Sequence, residues 1–423
     1  MYALSFFSRC CGAAALFGLL ALPSWGQQSP AVRTLDLPAV LAAARENIEV
    51  SLARRQQEVA RADILAADRA PTPVLSAKAG AIDLDHGLGP GSWLTRKPID
   101  KGLGLDWTLE RGNKRALRTQ TARQNAEAAG LDTQEVVVQQ QILAAAAFYE
   151  LMAAQDKLTQ LDDLARAASE LAGIAQRRLR AGDISQQEAL RTDIEAQRAQ
   201  AERRAAQAER ERTVLALARL TGLPAPLAVR SDWPATQALQ AAAPELAQRP
   251  DVRAAERRVE AARAVLDSAL AQRRNDVTVG TSLNHQPGTS RAMLELRLQM
   301  PLAGVLGNYA YEGEIRRAQA QLDQASDELE RTRRQAVSEQ ARLLEDLRAA
   351  AARAQFFEAD ITPRARRVAE MSELAYSRGA LPLVELVDAR RTLRAVLLDQ
   401  VAARADHARA LAAWQLRAAS AQP

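Results

Sequence analysis

Four short segments of the chain alternate apolar and polar residues, which predicts strands with one apolar face. They span residues 74–84, 102–110, 277–285 and 292–300. In the segment GLGLDWTLE, Leu103, Leu105 and Trp107 fall on one face, and Asp106 and Thr108 fall on the other. Each segment has about the 9 to 11 residues that a tilted strand needs to cross an outer membrane. The same pattern also fits two amphipathic hairpins of a soluble sheet.

A long, proline-poor segment with helix-forming composition follows each pair of strands. Residues 113–181 and residues 314–378 each predict a helix of roughly 100 Å, because an α-helix rises 1.5 Å per residue. Both segments end at a glycine, Gly182 or Gly379, after which the helical pattern resumes. We therefore expect two long helical hairpins, each with a glycine at its tip.

The second half of the chain repeats the plan of the first. Val74 and Val277 begin corresponding strands, and Gly182 and Gly379 mark corresponding tips, with each pair about 200 residues apart. An offset near 200 at both pairs indicates an internal duplication. The prediction has four parts: a signal peptide at 1–26, a first repeat at 27–220 with its tip near 182, a linker at 221–250 and a second repeat at 251–423 with its tip near 379.

The N-terminus predicts a secretory signal peptide. Arg9 precedes an apolar run of 13 residues, which is too short to span a bilayer, and Ser24 and Gly26 suit a signal peptidase site. We expect cleavage after Gly26. Cys10 and Cys11, the two cysteines of the chain, lie in this signal, so the mature protein would have no thiol for a disulfide or a metal site.

The composition narrows the class of protein. Aromatic residues make up 4% of the chain and charged residues 25%, and alanine dominates the apolar part, which is typical of long, closely packed helices rather than a compact enzyme. The net charge of +5 is spread along the helices and gives no reason to expect a nucleic-acid partner. No segment after the signal reaches the roughly 20 apolar residues of a membrane helix, so export favours membrane strands over a soluble sheet.

With these features, the chain resembles the TolC-like outer-membrane efflux proteins over essentially its whole mature length. The resemblance rests on LERGNKRALR and MPLAGVLGNYAYEGEIRRAQAQLDQA after the hairpins, and on the tips LRAGDISQQEALRTD and YSRGALPLVELVDARR. It implies a mainly α fold with a membrane β-barrel, in which duplicated long helical hairpins form a periplasmic α-barrel. Each protomer of a homotrimer would add four strands to the shared barrel.

The resemblance also implies a location and partners. The protein would lie in the outer membrane of a Gram-negative bacterium, in contact with its lipid and with its helices in the periplasm. A periplasmic adaptor (membrane fusion) protein and an inner-membrane transporter of the resistance-nodulation-division type would complete a tripartite efflux pump.

The run from Glu110 to Arg115 is similar to the E-x-G-G-K-R signature of the heavy-metal cation branch of this family, the cobalt-zinc-cadmium resistance type. Asn113 stands in place of the second glycine. The resemblance implies export of divalent cations. A multidrug-efflux duct and a type I secretion duct are alternatives, and a soluble periplasmic coiled-coil adaptor is an alternative of another class.

Two acids after the second tip are candidates for a gate. Glu385 and Asp388 are three residues apart, so they share one face of a helix, where Arg391 is also placed to pair with Asp388. The resemblance implies that these acids ring the periplasmic constriction, where six carboxylates in a trimer would attract cations. It also implies that hydrogen bonds of Tyr376 and Glu188 hold the entrance shut.

The resemblance places the adaptor contacts at the tips. The six residues are Arg180, Gly182, Asp183, Arg378, Gly379 and Ala380. Leu381 occupies a position that is basic in the family, so one contact that holds the entrance shut is expected to be missing.

The sequence has no motif that indicates catalysis or a cofactor. None of the three histidines, His86, His285 and His407, has a partner at metal-ligand spacing. His86 and His285 are weak candidates for transient metal contact at the outer mouth. We expect no enzyme activity, no cofactor and no resident metal.

Overall fold

The computed structural model describes residues 32–80, 82, 85, 99–236, 245–286, 290–301 and 309–420. The predicted signal peptide, both cysteines and His86 lie outside these residues. The described part of the chain is mainly helical and contains a four-stranded sheet. This confirms the predicted class of long helices with four paired strands.

The element order of the first half recurs in the second. The first half contains β1 Arg33–Leu35, α1 Leu37–Ala44, α2 Ile48–Ala67, β2 Val74–Gly80, β3 Asp100–Leu109, α3 Lys114–Arg180 and α4 Gln186–Thr221. The second half contains β4 Leu227–Val229, α5 Pro250–Ala271, β5 Val277–Gln286, β6 Ser290–Gln299, α6 Glu312–Phe356, α7 Thr362–Ser377 and α8 Leu383–Ser420. Each half therefore runs from a short helix through two strands into a long helix and a shorter return helix.

The helix α3 runs without interruption for 67 residues, or roughly 100 Å. Its middle carries the main apolar core, in which Phe148, Leu151 and Met152 are buried against residues of α1, α4, α8, β1 and β4. Burying a side chain such as Leu151 stabilises the fold by about 1.5–3 kcal/mol. By length and composition, α3 also has an 18-residue window apolar enough to cross a membrane, contrary to the sequence expectation, and half of that window is buried inside the protein.

The second long helix is divided by a π-helical turn. This turn, Phe357–Ile361, separates α6 from α7. Pro363 lies in the first turn of α7, where it lacks an N–H and its ring would clash with the carbonyl of residue 359 in a regular α-helix. A π turn adds one residue to the helix and is a common way to accommodate such a break. The predicted helix over 314–378 is therefore present as two α-helices joined by this turn.

The four long strands form one antiparallel sheet in the order β2-β3-β5-β6. The register places Leu75, Leu105, Thr281 and Leu296 in one row across the sheet, and Ser76, Gly104, Ser282 and Glu295 in the next. Because neighbouring rows point to opposite faces, the sheet has an apolar face and a polar face, as the alternation predicts. The apolar face is open to the surroundings: Leu294 is 69% exposed and Leu296 is 77% exposed.

A buried network of ion pairs joins four helices near the middle of the molecule. Arg249, 2% exposed at the N-terminus of α5, donates to Asp251 at 2.8 Å and to Glu339 of α6 at 2.6 Å. Arg417 of α8, 3% exposed, donates to the other oxygen of Glu339 at 3.1 Å and to Glu135 of α3 at 2.7 Å. Glu339 thus connects two buried arginines from different helices.

Candidate functional site

The first tip is a helix end that needs glycine for its conformation. Gly182 has φ +80°, and its N–H donates to the carbonyl of Leu179 at 3.0 Å, while the N–H of Asp183 donates to the carbonyl of Arg178 at 2.9 Å. This pair of bonds is the Schellman motif, in which the residue after the helix is left-handed. Nothing lies within 4 Å of the position that a Cβ would take at Gly182, so φ rather than space favours glycine.

The second tip repeats the same motif. Gly379 has φ +74° and its N–H donates to the carbonyl of Tyr376 at 3.0 Å, while the N–H of Ala380 donates to the carbonyl of Ala375 at 2.8 Å. The six residues predicted to contact an adaptor are all exposed at these two turns. Their contact with an adaptor stays a prediction.

Glu188 stabilises the start of the return helix after the first tip. Its carboxylate accepts from the backbone N–H of Ser185 at 3.0 Å and from the Ser185 hydroxyl at 3.1 Å, and the Ser185 hydroxyl accepts from the N–H of Glu188. These bonds form a capping box and hold the pKa of Glu188 below its usual range, the backbone bond contributing most. Within one protomer, Glu188 is thus committed to its own turn. Its predicted bond across the entrance is not among the contacts of the described residues.

Tyr376 connects the two tips. The guanidinium of Arg178 at the end of α3 donates to its hydroxyl at 3.2 Å and lies 5.9 Å from its ring centroid. Tyr376 and Leu381 pack on an apolar cluster whose buried members are Leu171, Leu383 and Leu386. Leu381, which replaces the expected basic residue, therefore joins the tips by apolar contact.

The candidate gate acids lie on the exposed side of α8. Leu383, Leu386 and Ala389 face the protein interior, whereas Glu385 and Asp388 face outward. Among the described residues, neither acid has an ion pair or a side-chain hydrogen bond.

The basic residues after the acid pair have other partners. Arg390 pairs with Glu373 of α7 at 2.9 Å, Arg391 pairs with Glu195 of α4, and Arg394 pairs with Glu202 of α4 at 3.1 Å. Arg391, the partner considered for Asp388 from the sequence, is thus engaged elsewhere. The two candidate gate acids thus lie exposed without a cation in contact among the described residues, although Arg391 attracts Asp388 from a longer distance.

The run from Glu110 to Arg115 forms the joint between β3 and α3. Gly112 and Asn113 both have left-handed backbone, with φ +76° and φ +58°. Asparagine tolerates this conformation better than other residues with a side chain, which explains how Asn113 can stand in the place of a glycine.

Ion pairs tie this joint to its neighbours. Lys114 is buried and donates to Asp276 before β5 at 2.8 Å, and Arg115 donates to Asp68 after α2 at 2.9 Å. The carboxylate of Glu110 accepts from the guanidinium of Arg118 one turn into the helix. Glu110, Lys114 and Arg115 therefore hold neighbouring elements together through their ion pairs. Within the described residues, none of the three belongs to a metal-binding cluster.

The two histidines that the structure describes, His285 and His407, lie in different surroundings. His285 pairs in register with Lys101, so it lies in a row of the apolar face rather than the polar face. His407 is 1% exposed inside the helical body, where burial lowers its pKa. No group of three or more His, Cys, Asp or Glu that could hold a metal occurs in the described part of the chain.

Comparisons with known proteins identify the fold. No family profile and no curated protein matches the sequence. Among solved structures, the chain is similar to the outer membrane protein VceC of Vibrio cholerae, with 17% identity, a TM-score of 0.73 and coverage of 90% of this chain and 96% of that one. It is also similar to the CmeC outer membrane channel of Campylobacter jejuni, with 14% identity, a TM-score of 0.71 and coverage of 98% and 94%. It is similar as well to CusC, a protein whose structures show conformational changes that accompany folding and transmembrane channel formation. Here the identity is 17%, the TM-score is 0.69, and the coverage is 91% of this chain and 93% of that one. The chain therefore has the fold of outer-membrane channels along nearly its whole length.

Proposed function

We propose that this protein is the outer-membrane channel of a tripartite efflux pump. The observation that carries the proposal is a four-stranded sheet with one exposed apolar face, joined directly to helices of roughly 100 Å. An apolar face of this extent needs lipid or another apolar surface, and the helices are long enough to reach far from the membrane. The similarity in fold to VceC, CmeC and CusC supports the same conclusion.

In this proposal three protomers form one duct. The sheet has β2 and β6 at its edges, and pairing of β6 with β2 of the next protomer would close a barrel without open edges. The helices would continue the barrel into the periplasm. The tips around Gly182 and Gly379 would receive the adaptor, and an inner-membrane transporter of the resistance-nodulation-division type would supply the energy.

The gate of the duct would lie at the second tip. Glu385 and Asp388 are exposed on α8, and no cation of the described residues contacts them, so three copies would concentrate six carboxylates at the entrance. Such a ring attracts cations and is blocked by multivalent ones. Tyr376, bonded to Arg178, would help to hold the two tips together in the closed state.

We further propose divalent heavy-metal cations as the exported substrate. The proposal rests on the similarity of the run from Glu110 to Arg115 to the heavy-metal branch and on the acidic entrance. Substrate would pass without tight binding, because conduction requires weak contacts. Drug efflux and type I secretion are the competing assignments for the same duct.

Two measurements test this function. The protein should resist a high-salt wash of membranes, extract only with detergent and migrate as a trimer, whereas a soluble adaptor would leave the membrane in salt. Deletion of the gene should sensitise the cells to zinc, cobalt or cadmium, and the plasmid-borne gene should restore growth. Sensitivity to drugs alone would assign the duct to drug efflux instead.

A further inference from the structure

The polar face of the sheet has glycines beneath side chains that come from neighbouring strands. A Cβ at Gly280 would lie 2.3 Å from Oδ1 of Asp106 and 3.3 Å from Nε of Arg297. A Cβ at Gly102 would lie 2.3 Å from Oδ1 of Asn284. The two distances to side-chain oxygens are too short for a real contact, so glycine at both positions lets polar side chains lie flat against the sheet.

One of these side-chain arrangements is an ion pair that crosses a strand. Arg297 of β6 donates to Asp106 of β3 at 2.5 Å, although β5 lies between these two strands. The register places Asp106, Gly280 and Arg297 in one row, so the pair passes directly over Gly280. Asp106 and Arg297 carry opposite charges in contact, so their electric fields largely cancel away from the pair. Asp106 therefore contributes little to the field above the sheet.

The neighbouring row contains a carboxylate with a different environment. Glu295 accepts from the amide of Asn284 at 2.9 Å and from the hydroxyl of Ser282 at 3.3 Å. Both of these donors are neutral and orient the carboxylate of Glu295. The guanidinium of Arg297, two residues along β6, also attracts Glu295, but it donates its hydrogen bond to Asp106 and not to Glu295. Asn284 is itself the side chain that lies over Gly102.

From this geometry we propose that Glu295 sets the cation preference of the outer part of the duct, while Gly280 allows Arg297 to mask Asp106. The inference rests on the proposed function, since it requires the polar face to line the lumen. Three copies of Glu295 would form a ring of fixed negative charge at the membrane end of the protein. This ring is separate from the gate acids, which lie at the far end of the helices.

Variants of Glu295, Asp106 and Arg297 test the proposal, because they should change the ion selectivity in opposite directions. In planar bilayers with a salt gradient, the reversal potential reports the permeability ratio of cations to anions. We expect Glu295→Gln to lower this ratio by about twofold or more. Arg297→Gln should raise it, because Asp106 is then unmasked and Glu295 also loses the attraction of this cation. The charge-matched control, Asp106→Asn with Arg297→Gln, should leave the ratio close to that of the unmodified protein.

Gly280→Ala tests the ion pair between Asp106 and Arg297 independently. The added methyl group must displace the ion pair from the sheet, so the single-channel conductance should fall while the permeability ratio changes little. A Glu295→Gln channel with an unchanged ratio would overturn the proposal, as would equal effects of Glu295→Gln and the double control. A wild-type protein that forms no conducting channel would instead overturn the proposed function.

Discussion

At the scale of single residues, backbone conformation explains the most informative positions. Gly182, Gly379 and Gly112 have positive φ, and Asn113 shares this conformation. The glycines of the tips could be predicted from the sequence, because a glycine that interrupts a long helical pattern indicates a helix end. The left-handed backbone of Asn113 could not, since its side chain alone does not show that two consecutive residues must turn before α3 begins.

Asn113 provides a first test at this scale. We expect Asn113→Gly to retain or slightly raise thermal stability, because glycine adopts φ +58° without strain. Asn113→Val should destabilise the protein by about 1–2 kcal/mol, because a β-branched residue is strained in left-handed backbone. Thermal unfolding of the detergent-solubilised protein followed by circular dichroism measures both changes, and equal stability of the two variants would contradict the strained-joint interpretation.

The proposed gate acids, Glu385 and Asp388, provide a second test. Glu385→Ala combined with Asp388→Ala should raise the single-channel conductance and weaken block by a trivalent cation added on the helical side. Glu370→Ala, which removes an exposed acid from α7, is the matched control and should change neither property. Unchanged conductance and block in the double variant would place the two acids outside the pore.

At the scale of elements, local signals were predictable and non-local contacts were not. Alternation in the sequence predicted both faces of β3, β5 and β6, because the side chains of a strand have a period of two. The sequence SQQE at 185–188 is a capping-box pattern, and this local signal is sufficient to predict the bonds of Glu188 to its own turn. The pair between Lys114 and Asp276 joins residues far apart in sequence, so no local pattern indicates it.

The buried ion network makes a prediction for this scale. Arg417→Ala leaves Glu135 and Glu339 without one of their cations in a buried site, which should destabilise the protein by about 3–5 kcal/mol. Arg55→Ala removes an exposed pair with Glu58 and should cost no more than about 1 kcal/mol. Chemical unfolding measures the free energy of unfolding of both variants. Similar losses of free energy would show that the buried network stabilises the fold no more than an exposed ion pair does.

The same network predicts sensitivity to acid. Burial raises the pKa of Glu339, but hydrogen bonds and charges from Arg249 and Arg417 outweigh burial and hold this pKa below its usual range. Because the pKa of Glu339 is lower in the folded state than in the unfolded state, its ionised carboxylate stabilises the protein at pH values above the unfolded pKa. This stabilisation is lost as the pH falls from about 4.3 through the folded pKa. Glu339→Gln should therefore be less stable at neutral pH and lose less stability on acidification. An acid-unfolding curve parallel to that of the unmodified protein would contradict this role.

At the scale of the whole molecule, the exposed apolar face of the sheet decides where the protein can reside. Leu296 is 77% exposed in the middle of β6, a position that is unfavourable in water and suited to lipid. The sequence predicted this face and the long helices, and the fold similarity confirms the architecture. The proposed trimer would depend on contacts between protomers, which the pattern along one chain does not specify.

A matched pair of substitutions tests the membrane orientation of the sheet. Leu296→Arg places a charge on the apolar face and should cost about 2–4 kcal/mol near the bilayer midplane, with loss of protein from the outer membrane. Gln299→Arg places the same charge on the polar face of the same strand and should be assembled normally. Fractionation and trimer content measure the outcome, and equal tolerance of both arginines would show that the face of Leu296 does not contact lipid.

The two long helices differ in how they carry force. The unbroken α3 runs for 67 residues between the sheet and the first tip, so we expect a push at Gly182 to act along its whole length. The π turn at Phe357–Ile361 divides the corresponding helix into two segments, α6 and α7. The shorter segment, α7, leads to Gly379. We therefore expect a partner that pulls on the second tip to bend this hairpin at the π turn, as far as the bond between Arg178 and Tyr376 allows, so the two tips would respond unequally to force.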